Sequence, residues 1–199
     1  MKKQCVLLIL TALVFGACEQ PPKETYQLTP AVSSSGDNVE LVEAGGYPVA
    51  VSHQDNSDVS IFGIVHENFI VVWVRYENFS KNPMEMSPDR ISLSAAGKKG
   101  KQKEMKIYVR GVKGDLLKPL NARLSSVYQM LSKAAPDQQN DAPAYQSIQQ
   151  VLLKTTMLPV NESAEGYLIS EVIPAVKFSL SIPFGGKVHK FELIPKKPA

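Results

Sequence analysis

Side chains that could carry acid–base or metal chemistry are sparse in this chain. It has 3 histidines, His53, His66 and His189, and none stands at a metal-ligand spacing such as His-x-x-x-His. His53 lies with Asp55 and Asp58 in a local His/Asp cluster that could hold a proton or a cation. The surrounding turn signals favour a solvated loop. His189 alternates with apolar residues of a predicted strand, which indicates a structural role.

Motifs for other chemistries are missing from the sequence. It contains no Gly-x-Ser-x-Gly, P-loop or dinucleotide-binding pattern, each of which positions a nucleophile or a phosphate on a specific turn. We therefore predict no catalytic, cofactor-binding or metal site, and a protein that is not an enzyme. The alternative is a hydrolase or sugar-processing enzyme that uses the loop carboxylates of Asp55, Asp58 and Asp89.

The first residues have the pattern of an export signal. Met1-Lys2-Lys3 is a basic start, and Val6 to Phe15 is an apolar core. A bilayer-spanning helix needs about 20 apolar residues, so this core is too short to be one. Phe15-Gly16-Ala17-Cys18 resembles the lipobox of bacterial lipoproteins, in which the cysteine is acylated and becomes the N-terminus. The alternative is an ordinary secretory signal with an incidental cysteine.

The lipobox resemblance implies that residues 1–17 are removed and that Cys18 is lipidated, with fatty acids such as palmitate. Cys5 leaves with the signal, so Cys18 is then the one thiol of the mature chain and no intrachain disulfide can form. Two or three acyl chains hold a protein stably at a membrane, whereas one holds it only marginally. Glu19 resembles a sorting signal for the outer membrane, so we expect an anchor there, facing the periplasm.

Composition restricts the rest of the chain. Removal of Lys2 and Lys3 lowers the basic residues from 22 to 20 against 19 acidic ones, a net charge of +1. Nothing in that balance indicates a nucleic-acid partner. Residues 18–38 are rich in proline, serine and glycine, which predicts a flexible tether after the cysteine. Residues 39–199 are long enough for one domain without a metal or disulfide.

Hydrophobic periodicity in this domain is mainly that of β-strands. Residues 70–76 are β-branched and aromatic, and residues 176–182 alternate apolar with polar side chains. Further predicted strands cover residues 39–43, 47–52, 59–65, 90–94, 105–110, 155–158, 165–170 and 187–194. Short strands separated by turn signals are typical of an antiparallel β-sandwich, and an immunoglobulin-like topology is the predicted fold.

Residues 116–154 depart from this period and predict an insert of two amphipathic helices. Leu124, Val127 and Leu131 fall at helical spacing in the first, and Ile148 and Leu152 do so in the second. Their apolar stripes must be buried, and the sheet offers two possibilities. Either Trp73 and Arg75 point out of the sandwich and the insert covers that face, or Trp73 is the central core tryptophan.

The domain also resembles the immunoglobulin-like domains of bacterial lipoproteins. The resemblance lies in three segments, at residues 72–80, Ser87-Pro88-Asp89-Arg90-Ile91, and Leu158-Pro159 followed by Gly166-Tyr167. It implies a fold and no chemistry. We therefore predict a non-catalytic binding or assembly module for an envelope protein partner. The polar residues of the insert that could carry specificity are Gln129, Lys133, Gln146 and Gln149.

A dense group of lysines has two interpretations. Lys98, Lys99, Lys101 and Lys103 lie within six residues, with Lys106 beyond. They could contact anionic envelope material such as lipopolysaccharide phosphates or peptidoglycan carboxylates. The favoured interpretation is a solvated hairpin tip that protects a strand edge.

Overall fold

Short strands dominate the computed structural model, which describes residues 25–31, 38–44, 46–108, 121–134 and 144–196. The strands are β1 (Thr25–Ala31), β2 (Val39–Ala44), β3 (Tyr47–Gln54), β4 (Ser57–His66), β5 (Phe69–Asn78), β6 (Met84–Met86), β7 (Ser92–Ala96), β8 (Gln102–Met105), β9 (Ile107–Tyr108), β10 (Thr156–Leu158), β11 (Ser163–Glu171), β12 (Lys177–Phe184) and β13 (Lys187–Lys196). A 3₁₀ turn covers Pro88–Arg90, and the helices are α1 (Asn121–Ala134) and α2 (Ala144–Val151).

The strands form a sheet that folds over on itself. Its order is β8-β7-β12-β13-β1-β4-β5-β11-β9, with β3 also on β4 and β2 on β3. Every pair of these strands is antiparallel. Buried side chains from both halves form one core, so β7, β8, β12 and β13 make one layer and β2 to β5 with β11 the other. The predicted mainly β, antiparallel fold with a two-helix insert is confirmed.

Strand β1 corrects the predicted tether. Thr25–Ala31 lies inside the sheet, where it pairs with β13 on one side and with β4 on the other. Leu28 is fully buried in the core, because it occupies the inward position of this strand. The prediction of a flexible segment over residues 18–38 is therefore wrong for residues 25–31. The ordered domain includes Thr25, and residues 18–24 and 32–37 lie outside the described ranges.

Alternation along β5 decides between the two orientations considered for Trp73. Val72, Val74 and Tyr76 are buried in the sandwich core, whereas Trp73 and Arg75 point to the outer face of the layer. Tyr76 packs edge-on against Phe184 at 5.0 Å between ring centroids, and burial raises the pKa of its phenol. The interpretation in which Trp73 and Arg75 point out of the sandwich is therefore confirmed.

The helical insert packs on that same outer face. Its buried side chains and those of the sheet beneath it form a second core, which contains Phe69, Val71, Tyr108, Leu124, Val127, Leu131, Ile148, Leu152 and Ile169. After α2 the chain joins the sheet, because the Leu153 amide donates to the Tyr167 carbonyl at 3.0 Å. Gly166 permits this approach, since a Cβ there would lie 3.0 Å from the Leu153 nitrogen.

Two predicted strands are shortened or divided in the structure, whereas the others differ only by a few residues at their ends. The strand expected at residues 90–94 begins at Ser92, because the 3₁₀ turn occupies Pro88–Arg90. The strand expected at residues 105–110 is divided at Lys106, since β8 pairs with β7 and β9 pairs with β11 in the other layer. Residues 109 and 110 are outside the described part of the chain. The chain therefore crosses between layers at Lys106.

Asn78 holds one end of the sandwich together. Its side chain is fully buried and its Nδ2 donates to the carbonyls of Asn82, Leu158 and Pro159 at 2.9, 3.0 and 3.0 Å. Its Oδ1 accepts a hydrogen bond from the Ser80 amide at 2.9 Å. One side chain thus connects the end of β5 to the two-stranded sheet of β6 and β10.

Candidate binding surface

An aromatic row crosses the outer face of the β3–β4–β5–β11 layer. Phe62 lies opposite Trp73, and Trp73 lies opposite Tyr167, so the three side chains stand about 4.8 Å apart on neighbouring strands. Tyr47 extends the row, with its ring centroid 4.7 Å from that of Phe62. Tyr47 is 49% exposed and the other three rings are partly exposed. These four residues are called the aromatic row.

Tyr167 lies at one end of the aromatic row, and two effects raise the pKa of its phenol. Burial raises the pKa of the Tyr167 phenol, and the nearby Glu165 carboxylate raises it further. The phenol therefore stays neutral at physiological pH and can donate a hydrogen bond.

A charged band lies beside the aromatic row, farther from the insert. It consists of Glu40, His53, Asp58, Arg75, Glu77 and Glu165 on the same outer face. Arg75 Nη2 lies 2.6 Å from Glu77 Oε1, and His53 Nδ1 lies 2.9 Å from Asp58 Oδ2. Glu165 is exposed and stands opposite Arg75 in the register. Four carboxylates thus face one guanidinium and one imidazole, and the band is acidic.

The insert covers the other flank of the aromatic row. Ile64, Val71 and Ile169 lie one step further along β4, β5 and β11, and all three pack within the second core. Tyr167 also packs against that core, which explains why it is only partly exposed. The aromatic row is therefore the boundary between a helix-covered region and an accessible charged one.

The residue types of this surface are those enriched where proteins bind partners. Tyr, Trp and Arg are the residues enriched in protein–protein interfaces and in their hot spots, because they combine large apolar area with a polar group. Aromatic faces beside carboxylates also attract ammonium and guanidinium groups.

The predicted loop carboxylates do not converge on one point. Asp58 pairs with His53, whereas Asp55 lies 3.5 Å from Lys187 Nζ. Asp89 accepts a hydrogen bond from the Ser87 hydroxyl at 2.8 Å. Among the described residues, no group of three or more His, Cys, Asp or Glu side chains is placed to hold a metal ion. Of the predicted cluster of His53, Asp55 and Asp58, the structure thus brings together His53 and Asp58.

A buried Ser–His–Ser network was not visible in the sequence. His189 Nδ1 lies 3.2 Å from the Ser52 carbonyl oxygen and 3.0 Å from Ser52 Oγ, and its Nε2 lies 3.3 Å from Ser57 Oγ. Because a carbonyl only accepts, Nδ1 carries the proton and Nε2 accepts from the Ser57 hydroxyl. The serines are far from His189 in sequence, so no local pattern links them.

This network is inaccessible to solvent, since His189 is fully buried. Burial lowers the pKa of its imidazole, and the Ser52 backbone hydrogen bond and the Asp58 charge partly oppose that change. A neutral, fully bonded imidazole in a strand is a structural element, as predicted for His189.

The lysines occupy an exposed hairpin between β7 and β8. The tip closes through hydrogen bonds from the Gly97 amide to the Lys101 carbonyl at 3.2 Å and from the Gly100 amide to the Gly97 carbonyl at 2.9 Å. Lys98, Lys99, Lys101 and Lys103 are all exposed and are called the lysine hairpin. β8 ends the strand order, so Lys103 lies on a sheet edge and the other three lysines lie in the turn that precedes it.

Two other predicted sites are only partly described. In the insert, Gln129 is exposed and Gln149 is partly buried, whereas the side chains of Lys133 and Gln146 are outside the described set. Cys18 also lies outside the described residues. Neither described helix is both long and apolar enough to cross a bilayer.

An exposed strand borders the surface at β2. Leu41 and Val42 are 42% and 37% exposed, and with Glu43, Gly46 and Pro48 they line a shallow depression of 370 Å³.

Comparison of the chain with protein-family models, curated proteins and solved structures finds no match.

Proposed function

We propose that this protein is a lipid-anchored bacterial envelope protein that acts as a non-catalytic binding or assembly module. The Lys-Lys start, the short apolar core and the small residues before Cys18 support the anchor. Glu19 supports a location at the outer membrane, facing the periplasm. Strand β1 begins at Thr25, seven residues after Cys18, so the domain follows the anchor closely.

The observation that carries the binding function is the register of Phe62, Trp73 and Tyr167 on a face that the insert leaves partly open. Aromatic side chains with this exposure keep apolar area in contact with water, and a protein partner would remove it. Arg75 in the adjacent band adds the third residue type that dominates interface hot spots.

A hydrolase or sugar-processing activity would require carboxylates that converge on a substrate pocket. Asp55, Asp58 and Asp89 instead interact with three different partners in separate places. Their placement therefore favours the binding function over the enzymatic alternative.

Site-specific photo-crosslinking in intact cells tests the surface. A photoreactive residue at Ser60, which lies opposite Arg75 of the charged band and two residues before Phe62 of the aromatic row, should give a protein adduct. The matched control is Ser179, an equally half-buried serine on the outer face of the other layer, which should give none. Absence of an adduct at Ser60 in folded protein would contradict the proposed surface.

A pair of truncations gives the surface a second test. Tyr47→Ala removes a ring that is 49% exposed and should reduce the adduct at Ser60. Ile194→Ala removes a similarly exposed side chain, 45%, from the other layer and should leave the adduct unchanged.

Metabolic labelling tests the anchor. Cells grown with a labelled fatty acid should yield labelled protein, and Cys18→Ala should abolish the label. An unlabelled wild type, or a labelled Cys18→Ala variant, would refute lipidation.

A further inference from the structure

Two oppositely charged surfaces of this molecule belong to different layers of the sandwich. The lysine hairpin gathers four exposed lysines at the edge of one layer, with Glu104 as the nearby acidic residue. The charged band gathers four carboxylates on the outer face of the other layer. Since they belong to different layers, the hairpin and the band are separate surfaces, and one molecule could use both at once with two different neighbours.

The ion pairs within the band leave part of its charge available. Arg75 is engaged with Glu77 at 2.6 Å and His53 with Asp58 at 2.9 Å. Glu40 lies 3.5 Å from His53 Nε2 and its side chain remains 65% exposed. Glu165 is exposed as well and adjoins Trp73 and Tyr167. Carboxylates beside aromatic rings form a favourable site for lysine ammonium groups.

We propose that the partner of this surface is a second copy of the chain, whose lysine hairpin docks on the charged band and the adjoining aromatic row. The proposal rests on the proposed function for the choice of surface. Charge complementarity selects the occupant, because the chain itself carries an exposed cationic hairpin that matches an acidic acceptor. The mature net charge of +1 also lacks the repulsion that keeps strongly charged proteins apart.

The contact is head to tail, because the hairpin and the band are different surfaces. Each molecule keeps an unused hairpin or an unused band after one contact forms. Such heterologous contacts close into rings or continue as open arrays. On a membrane, lipid-anchored copies would form the contact within one leaflet.

Reciprocal charge reversal tests the proposal. The protein is the mature chain with Cys18→Ser, so that no lipid mediates association. One variant reverses the hairpin (Lys99→Glu with Lys101→Glu), and a second reverses the band (Glu40→Lys with Glu165→Lys). The control, Lys190→Glu with Lys196→Glu, makes the same net charge change at exposed lysines on β13.

Sedimentation equilibrium should show self-association of the wild type and the control, weakened at least tenfold between about 0.01 and 0.15 M salt, where the screening length falls from about 30 to 8 Å. Each reversed variant alone should associate at least tenfold more weakly. An equimolar mixture of the two should regain association, because their reversed surfaces are complementary. A monomeric wild type at low salt, or a mixture that does not regain association, would overturn the proposal.

Crosslinking at Ser60 in cells separates this proposal from the proposed function. An adduct with twice the mass of the chain supports the second copy. An adduct of any other mass keeps the binding function and refutes self-docking. No adduct refutes both.

Discussion

Replacement of Asn78 by alanine should strongly destabilise the domain. The substitution removes the two Nδ2 hydrogens that are shared among the carbonyls of Asn82, Leu158 and Pro159, and the Oδ1 that accepts from the Ser80 amide. Asn78 is fully buried, so water cannot replace these bonds without a local opening of the loops.

The size of the effect follows from the number of bonds. Each contributes about 0.5–1.5 kcal/mol net, so two donated hydrogens and one accepted bond predict a loss of about 1.5–4.5 kcal/mol in the free energy of unfolding. We expect about 3 kcal/mol, a large part of the roughly 5–15 kcal/mol that stabilises a typical domain. For a chain of this length the corresponding fall in Tm is about 6–12 °C.

Urea unfolding followed by circular dichroism measures this loss. Asn78→Asp should destabilise at least as much as Asn78→Ala, because it places a carboxylate oxygen against carbonyl oxygens. Asn68→Ala, in the exposed turn between β4 and β5, is the control and should change stability by less than about 0.5 kcal/mol. An Asn78→Ala variant as stable as this control would refute the role assigned to Asn78.

Three further predictions concern the fold. A protein that begins at Asn38 lacks Thr25–Ala31 and should fail to give a cooperative thermal transition, whereas the chain that retains this strand should melt cooperatively. Burial lowers the pKa of His189, so the unfolded chain binds a proton more readily than the folded one, and the free energy of unfolding should fall as pH drops below about 6.5. Urea unfolding at successive pH values measures this fall, and His189→Gln should flatten the dependence of stability on pH. Leu124→Ala should destabilise the insert by about 2–5 kcal/mol in hydrogen exchange, whereas exposed Gln150→Ala should not.

Local sequence patterns were enough to locate most of the sheet. The alternation of β12 and the β-branched composition of β5 predict these strands, and Arg75 favours the observed orientation of Trp73. Strand β1 was missed because its apolar positions, Tyr26, Leu28 and Pro30, alternate over a short stretch between proline-rich and serine-rich segments. Its order comes from pairing with β4 and β13, which lie far from it in sequence.

The candidate surface was predictable only where its residues are near in sequence. His53 and Asp58 meet because they face each other across the β3–β4 hairpin. Phe62, Trp73 and Tyr167 become neighbours through the register of β4, β5 and β11, which composition does not determine. The Ser57–His189 contact likewise depends on the packing of the two layers. The immunoglobulin-like classification stays a prediction.

The start of β1 at Thr25 limits how far the domain can lie from Cys18, the proposed anchor. Seven residues extend to about 25 Å at most, whereas the tether first expected, ending at residue 38, would have reached about 70 Å. Thr25 pairs with His66, so the β4–β5 turn is the end held near a lipidated Cys18. The charged band lies toward the other end of these strands. If Cys18 is lipidated as proposed, a molecule held so closely searches mainly in the two dimensions of its own leaflet, which raises its effective concentration toward its neighbours.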